Sequence, residues 1–246
     1  MKFKLASFTN VQPIILVVLT LLCLFGIVQA AKMGKANLDF YRVHQTLEYW
    51  RDNQQITNDE ELNQTLTIIH RANNTHPNNP QYLITLGLVY EWGGLHAAEQ
   101  ADKMHYFNEA RKYYSRATEL RPTWPGTWAT LATLKWRLNE IDQQLVEYLF
   151  LADKFGENSD QVHEAWLEVG FYLYKSKSVF SAKIIKGLRK HLQLMVEDPR
   201  NKINALALTI VKRHNVEQLA CNWVTNFNIE DEVKKEKFCQ TTSSRS

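Results

Sequence analysis

The stretch ARKYYSRATELRPTWPGTWATLA, residues 110–132, decides how the chain is read. Ala110 and Ala117 flank the aromatic Tyr114 at helical spacing. Pro122 ends that helix, because a proline cannot continue it. Trp128, Leu131 and Ala132 then open a second helix. Small residues at such spacings let two antiparallel helices approach closely, and bulky ones fill the gaps between them. The stretch is therefore one joint of a helix-turn-helix repeat.

Working outward, the pattern recurs with the spacing of tetratricopeptide units of about 34 residues. Upstream, Ile69, Ala72 and Pro77 hold the second-helix places of one unit. Pro80 opens the next, with Leu83, Leu86, Gly87 and Tyr90 on its first helix. Ala110, Tyr114 and Ala117 follow only after an insertion of about eleven residues relative to a regular unit. That insertion falls in Gly93 to Tyr106. Gly93 and Gly94 are expected to break the helix there. The insertion as a whole is expected to extend two helices, although additions to a rigid scaffold are also where functional loops arise.

Pro125 opens a third unit, in which Lys135 stands where an aromatic is expected and Ala152 falls one place late after Tyr148. A fourth opens near His163, with Trp166, Val169, Gly170 and Leu173 in register. Its second helix, Val179 to Val196, keeps only Ala182 as the small packing residue, and Asp198-Pro199 ends it. The expected fold class is all-α: a tetratricopeptide-like antiparallel helix-turn-helix solenoid behind an N-terminal transmembrane helix. An all-helical domain matching by chance is the alternative. Two consecutive units in register through Pro77, Pro80, Pro122 and Pro125 weigh against it.

Around this core, Asn37 to Asn53 reads as a first helix, and Asn58 or Asp59 as the N-cap of a second. Asn201 to Arg213 reads as a helix, Ile229 to Lys237 as a short one, and Gln240 to Ser246 as disordered. The expected organisation is an anchor segment over 1–31, a repeat domain over 37–215, and a C-terminal cap and tail over 216–246.

Val11 to Val28 is almost wholly apolar and follows Lys2 and Lys4. It reads as an uncleaved anchor, because the run approaches the roughly 20 residues that span a bilayer. The alternative is a signal peptide cleaved after Val28-Gln29-Ala30, a small-x-small pattern, leaving a soluble exported protein. Either way the rest of the chain leaves the cytoplasm, and Cys221 and Cys239 are placed to pair in an oxidising compartment. Two unpaired thiols are the alternative. Two isolated cysteines, with no CxxC, offer too few ligands for a metal. The net charge is +3 over 246 residues, and two of those charges precede the apolar run. That near-neutral balance makes no global case for nucleic acid, whose strong binders usually show a basic stripe and a high pI.

The chain resembles the VpsP family, small proteins of exopolysaccharide biosynthesis clusters in marine and related gamma-proteobacteria. The resemblance rests on the N-terminal anchor, on LGLVYEW at 86–92, and on the RPTWP junction at 121–125 with Trp128-Ala129. Cys221 and Phe238-Cys239 complete it. It implies a role in making or exporting polysaccharide at the bacterial inner membrane, with the bulk of the chain in the periplasm. It transfers no catalytic motif.

The inner face of such a solenoid is lined by first helices. Here it is expected to present Ile84, Leu88, Glu91 and Trp92, then Ala129, Thr133, Trp136 and Arg137, then Leu167, Phe171, Tyr174 and Lys175. An aromatic face with a few charges suits a partner helix or peptide, and also the apolar faces of sugar rings. Trp92 and Trp136 packed instead on the insertion or on the C-terminal helices is the plainer alternative. Lys175 to His191 is rich in Lys and Arg and reads first as a solvated face, second as a surface for anionic headgroups or an acidic polymer.

The eight histidines are scattered, without HExxH, and neither a Gly-rich phosphate loop nor Gly-x-Ser-x-Gly occurs. Acidic pairs such as Glu60-Glu61 and Glu230-Asp231 suit helix ends. Neither catalysis, a cofactor nor a metal is expected. The expected function is that of a membrane-anchored scaffold binding protein partners in polysaccharide synthesis or export. An adaptor of another envelope machine (secretion, pilus or cytochrome maturation), or a glycan-binding or carbohydrate-active protein, is the alternative.

Overall fold

The computed structural model describes residues 12–229 and 231–243. Lys2, Lys4, Val11, Glu230 and 244–246, which the sequence reading used, lie outside the described residues. Among those described there are eleven helices and no strand, so the protein is all-α.

The first helix, α1 (Gln12–Asn53), is 42 residues long. At 1.5 Å per residue it extends for about 60 Å. Its segment from Pro13 to Asn53 is the one described helix long and apolar enough to cross a membrane. Ile14, Leu19, Phe25 and Val28 all stand exposed on it. The expected gap before Asn37 does not exist: apart from Gly34, the residues from Ala30 to Ala36 are good helix formers, so the helix continues unbroken. Beyond the apolar run one stripe turns inward: Ala36, Asp39, Val43, Leu47 and Trp50 are buried at helical spacing.

Helix α2 (Asp59–Thr75) begins as the capping residues dictate. The side chain of Asn58 accepts the Glu61 N–H at 2.9 Å, and Glu61 Oε2 accepts from Thr57 N and Trp50 Nε1, each at 3.1 Å. Arg71 grips Asp39 of α1 with two hydrogen bonds of 2.7 and 2.6 Å. That guanidinium holds the Asp39 carboxyl below the usual carboxylate value. Tyr82, on α3 (Pro80–His96), donates to Asn37 of α1 at 2.6 Å. The first helix is thus tied by side chains to both of the next two.

Gly93 and Gly94 do not break α3, which runs through them to His96. They are there for packing against α4 (Gln100–Leu120). A Cβ on Gly87 would lie 2.5 Å from the Tyr114 ring, one on Gly94 2.4 Å from the Phe107 ring, and one on Gly93 2.8 Å from Tyr106. Gly87 meets Tyr114, and Gly94, seven places on, meets Phe107, seven places back, so the pair is antiparallel. The insertion lengthens both helices and adds Gly93, Gly94, Tyr106 and Phe107 to their seam.

The RPTWP junction is a compact link. Helix α4 stops at Leu120, Arg121 stacks 3.9 Å above the Trp124 ring, and Pro125 takes the first turn of α5 (Pro125–Arg137). The Trp128 indole donates to the Pro122 carbonyl at 2.7 Å. Lys135, in the expected aromatic place, buries its stem and sets its ammonium 2.9 Å from both Glu140 and Asp142.

Helices α6 (Gln143–Gly156), α7 (Asp160–Lys175) and α8 (Ser181–Glu197) continue the order. In α7, Trp166, Val169 and Leu173 are fully buried, as their register required. Ala182 is a correction: it is exposed. The close approach falls at Gly187, whose Cβ would lie 2.4 Å from the Trp166 ring, and at Gly170 against Leu188. Each helix packs on the next in sequence, and α1 also packs on α3, α5 on α7, and α7 on α9 (Asn201–Arg213).

The C-terminal part is more ordered than expected. Helix α10 (Glu217–Val224) and helix α11 (Glu232–Ser243) are joined by the Cys221–Cys239 disulfide. Gln240 to Ser243, expected to be disordered, belong to α11. Phe238 is buried against the core, which docks that helix.

Candidate partner-binding groove

Residues of α3, α5, α7 and α9 enclose a groove of about 270 Å³. Leu88 and Glu91 line it from α3; Ala129, Thr130, Thr133, Trp136 and Arg137 from α5; Gln161, Glu164, Ala165 and Glu168 from α7; and Arg213 from α9. Helices α3, α5 and α7 each present residues three or four apart, so one face of each looks inward. Of the sequence-derived set, the fold brings together Leu88, Glu91, Thr133, Trp136 and Arg137, with Ala129.

The others lie elsewhere, for a common reason. Trp92 turns to α1, where its ring sits 6.1 Å from Trp50. Phe171 is fully buried and stacks on Trp223 at 6.1 Å; Tyr174 meets the edge of the same ring at 5.5 Å. Lys175 donates to the His214 carbonyl at 2.7 Å, near the end of α9. Leu167 is fully buried, and Ile84 packs on the core between α4 and α5. Helices α9 and α10 close over the far end of α7, and no repeat register places those helices. Trp136 itself is half-buried, with its ring 5.8 Å from Tyr172 and 6.0 Å from His214.

The electrostatics of the groove rest on two locked pairs. Arg137 binds Glu91, whose other oxygen accepts from the buried Tyr114 hydroxyl at 2.8 Å. Burial, and the Glu91 carboxylate after it, hold that hydroxyl well above its ordinary pKa. Arg213 binds the buried Glu168, which also meets His214 Nε2 at 2.7 Å. Glu164 lies one turn before Glu168. It makes no hydrogen bond or ion pair with any described residue. Its side chain stands exposed at the mouth of the groove, and its carboxyl is raised above the usual value, first by partial loss of solvation beside the groove walls and then by the Glu168 charge. Solvent at the open mouth screens part of that effect.

Spacing gave no sign of a second polar cluster. Asp153 of α6, His163 of α7, and Lys190 and His191 of α8 meet in the core. The two histidine Nδ1 atoms are 2.8 Å apart, and His191 Nε2 lies 3.1 Å from Asp153. One Nδ1 must donate and the other accept, so at least one ring is neutral. Burial lowers both histidines. Lys190 pairs with Asp153 at 2.7 Å and with Glu157 at 3.2 Å, so this lysine of the basic run on α8 is already engaged. Among the described residues, no group of three or more His, Cys, Asp or Glu side chains is arranged to hold a metal ion.

Compared with known proteins, the chain matches no protein-family model and no curated sequence.

Proposed function

We propose that this protein is a membrane-anchored helical-repeat scaffold of exopolysaccharide biosynthesis or export, holding a protein partner in the α3–α5–α7–α9 groove. The observation that carries the reading is that groove, set on successive first helices of a stack whose leading helix runs unbroken from an apolar segment into the packed domain. Successive antiparallel pairs, and glycines beneath aromatic rings, support degenerate tetratricopeptide-like repeats as the architecture. The Cys221–Cys239 disulfide supports an oxidising compartment, hence a periplasmic position for the domain. The polysaccharide pathway rests on the family resemblance, carried chiefly by the RPTWP junction. No catalytic role is proposed.

The test is photocrosslinking in native membranes from Thr133, inside the groove, and from Arg116, which pairs with Glu119 on the outer surface. Capture of polysaccharide polymerisation or export proteins from position 133 alone is the expected result. Equal capture from both positions, or none from 133, refutes the groove. Capture confined to secretion, pilus or cytochrome-maturation proteins keeps the groove and refutes the pathway.

A further inference from the structure

The groove holds one carboxylate with no counter-ion. Three carboxylates line it, Glu91, Glu164 and Glu168, against two guanidiniums, Arg137 and Arg213. Both guanidiniums are committed: Arg137 to Glu91 and Arg213 to Glu168. Each pair is braced by a further donor or ring, Tyr114 on one side and His214 on the other. Swinging either arginine onto Glu164 would strand a carboxylate among packed side chains, which is costly. Glu164, exposed at the mouth of the groove, is thus left to water or to a group from outside.

We propose that the groove binds a polypeptide segment through a lysine or arginine side chain seated on Glu164. This deepens the partner-binding reading and rests on it. A cation neutralises the one unmatched charge, whereas an incoming carboxylate meets an excess of its own sign. The alkyl stem of such a side chain fits the apolar wall of Leu88, Ala129 and Trp136. Thr130, Thr133 and Gln161 on the lining supply hydroxyl and amide groups for the segment's backbone. A metal ion is the poorer occupant, because a single free carboxylate supplies few of the six to eight oxygens a calcium site takes.

The test uses the full chain in detergent micelles and three acetylated, amidated heptapeptides, identical except for a central Lys, Gln or Glu. Photocapture is read from position 133, with position 116 as the background. The Lys peptide should be captured about tenfold more than the Glu peptide, the order expected for one close charge pair. Glu164→Gln should erase that preference, and Glu164→Asp should keep most of it. Glu164 bears no structural pairing, so its replacement leaves the fold intact; matching circular dichroism checks this. Equal capture of all three peptides above background, or a Lys preference that survives Glu164→Gln, overturns the cation seat and leaves the groove standing. Capture no greater from 133 than from 116 overturns both.

Discussion

Replacing Gly94 by alanine separates two physical roles for a glycine pair inside a helix. As a helix breaker, Gly94 would be improved by alanine, which gains about 1 kcal/mol of helix propensity. The structure requires the opposite sign. The new Cβ would lie 2.4 and 2.5 Å from two carbons of the Phe107 ring, where ordinary contact begins near 3.4 Å. Phe107 has no exposed surface, so the ring cannot swing into solvent. Relief must come from separating α3 from α4, and overpacking of this kind costs about 1–3 kcal/mol. A fully enclosed ring puts the cost at the upper end, about 2–3 kcal/mol, leaving a net loss of about 1–2 kcal/mol after the propensity gain. For a chain of this size that is a melting point about 2–8 °C lower. The assay is thermal unfolding of the full chain in detergent, followed by far-ultraviolet circular dichroism. Phe107→Leu in the same chain should make Gly94→Ala less damaging, a coupling that a double-mutant cycle isolates. A higher melting point for Gly94→Ala alone would refute the packing role and restore the breaker.

The remaining expectations concern pH and the disulfide. Burial, opposed in part by Asp153, depresses His191 in the fold, so the unfolded chain binds a proton that the folded one refuses. Stability should therefore be complete above about pH 6.5 and fall as the pH drops below it. The groups facing His191 are His163, Asp153, Lys190 and Trp166, and a His163→Gln/His191→Gln double variant should show a flatter urea midpoint between pH 4 and 6.5 if the histidines are the cause. The Glu164 carboxyl is raised, so capture of the Lys peptide should weaken as the pH falls through that raised value, while capture of the Gln peptide stays level. Glu91, Glu168, Arg137, Arg213 and His214 surround the site, and the same titration on Glu164→Gln subtracts their share. The disulfide closes a separation of 18 residues, worth about 3 kcal/mol in the chain-entropy account. Reduction should loosen α11 ahead of the rest, seen as early tryptic cleavage at Lys235; simultaneous loss of all helix signal would contradict a peripheral clasp.

Much of the helical skeleton was legible because it is written in local chemistry. Asn58 caps, Pro80 and Pro125 start, and Asp198-Pro199 stop helices through forces acting within a few residues. Register also carried over to burial at Ala110, Tyr114, Ala117, Leu131, Trp166 and Leu173, because a 3.6-residue period fixes which side chains share a face. It failed at Ala182, where the small residue that matters is Gly187, since close approach depends on where the facing Trp166 lands.

The candidate site divides along the same line. Leu88, Glu91, Thr133, Trp136 and Arg137 reached the groove because helical spacing sets each group on one face of α3 or α5. Trp92, Phe171, Tyr174 and Lys175 did not, because α1, α9 and α10 pack where no repeat rule places them. Glu164 and Arg213 were invisible as a site: a glutamate without a partner looks the same in sequence as one with a partner. The sequence by itself determined most of the helices and their order, though not α10, together with the apolar leading segment and many of the buried positions, because capping, proline geometry and periodicity are local. Only the tertiary structure decided that Gly93 and Gly94 seat aromatic rings, that two histidines share a buried contact, and which carboxylate in the groove stands without a counter-ion. Those outcomes depend on distances between residues tens of positions apart, which only the packed chain sets.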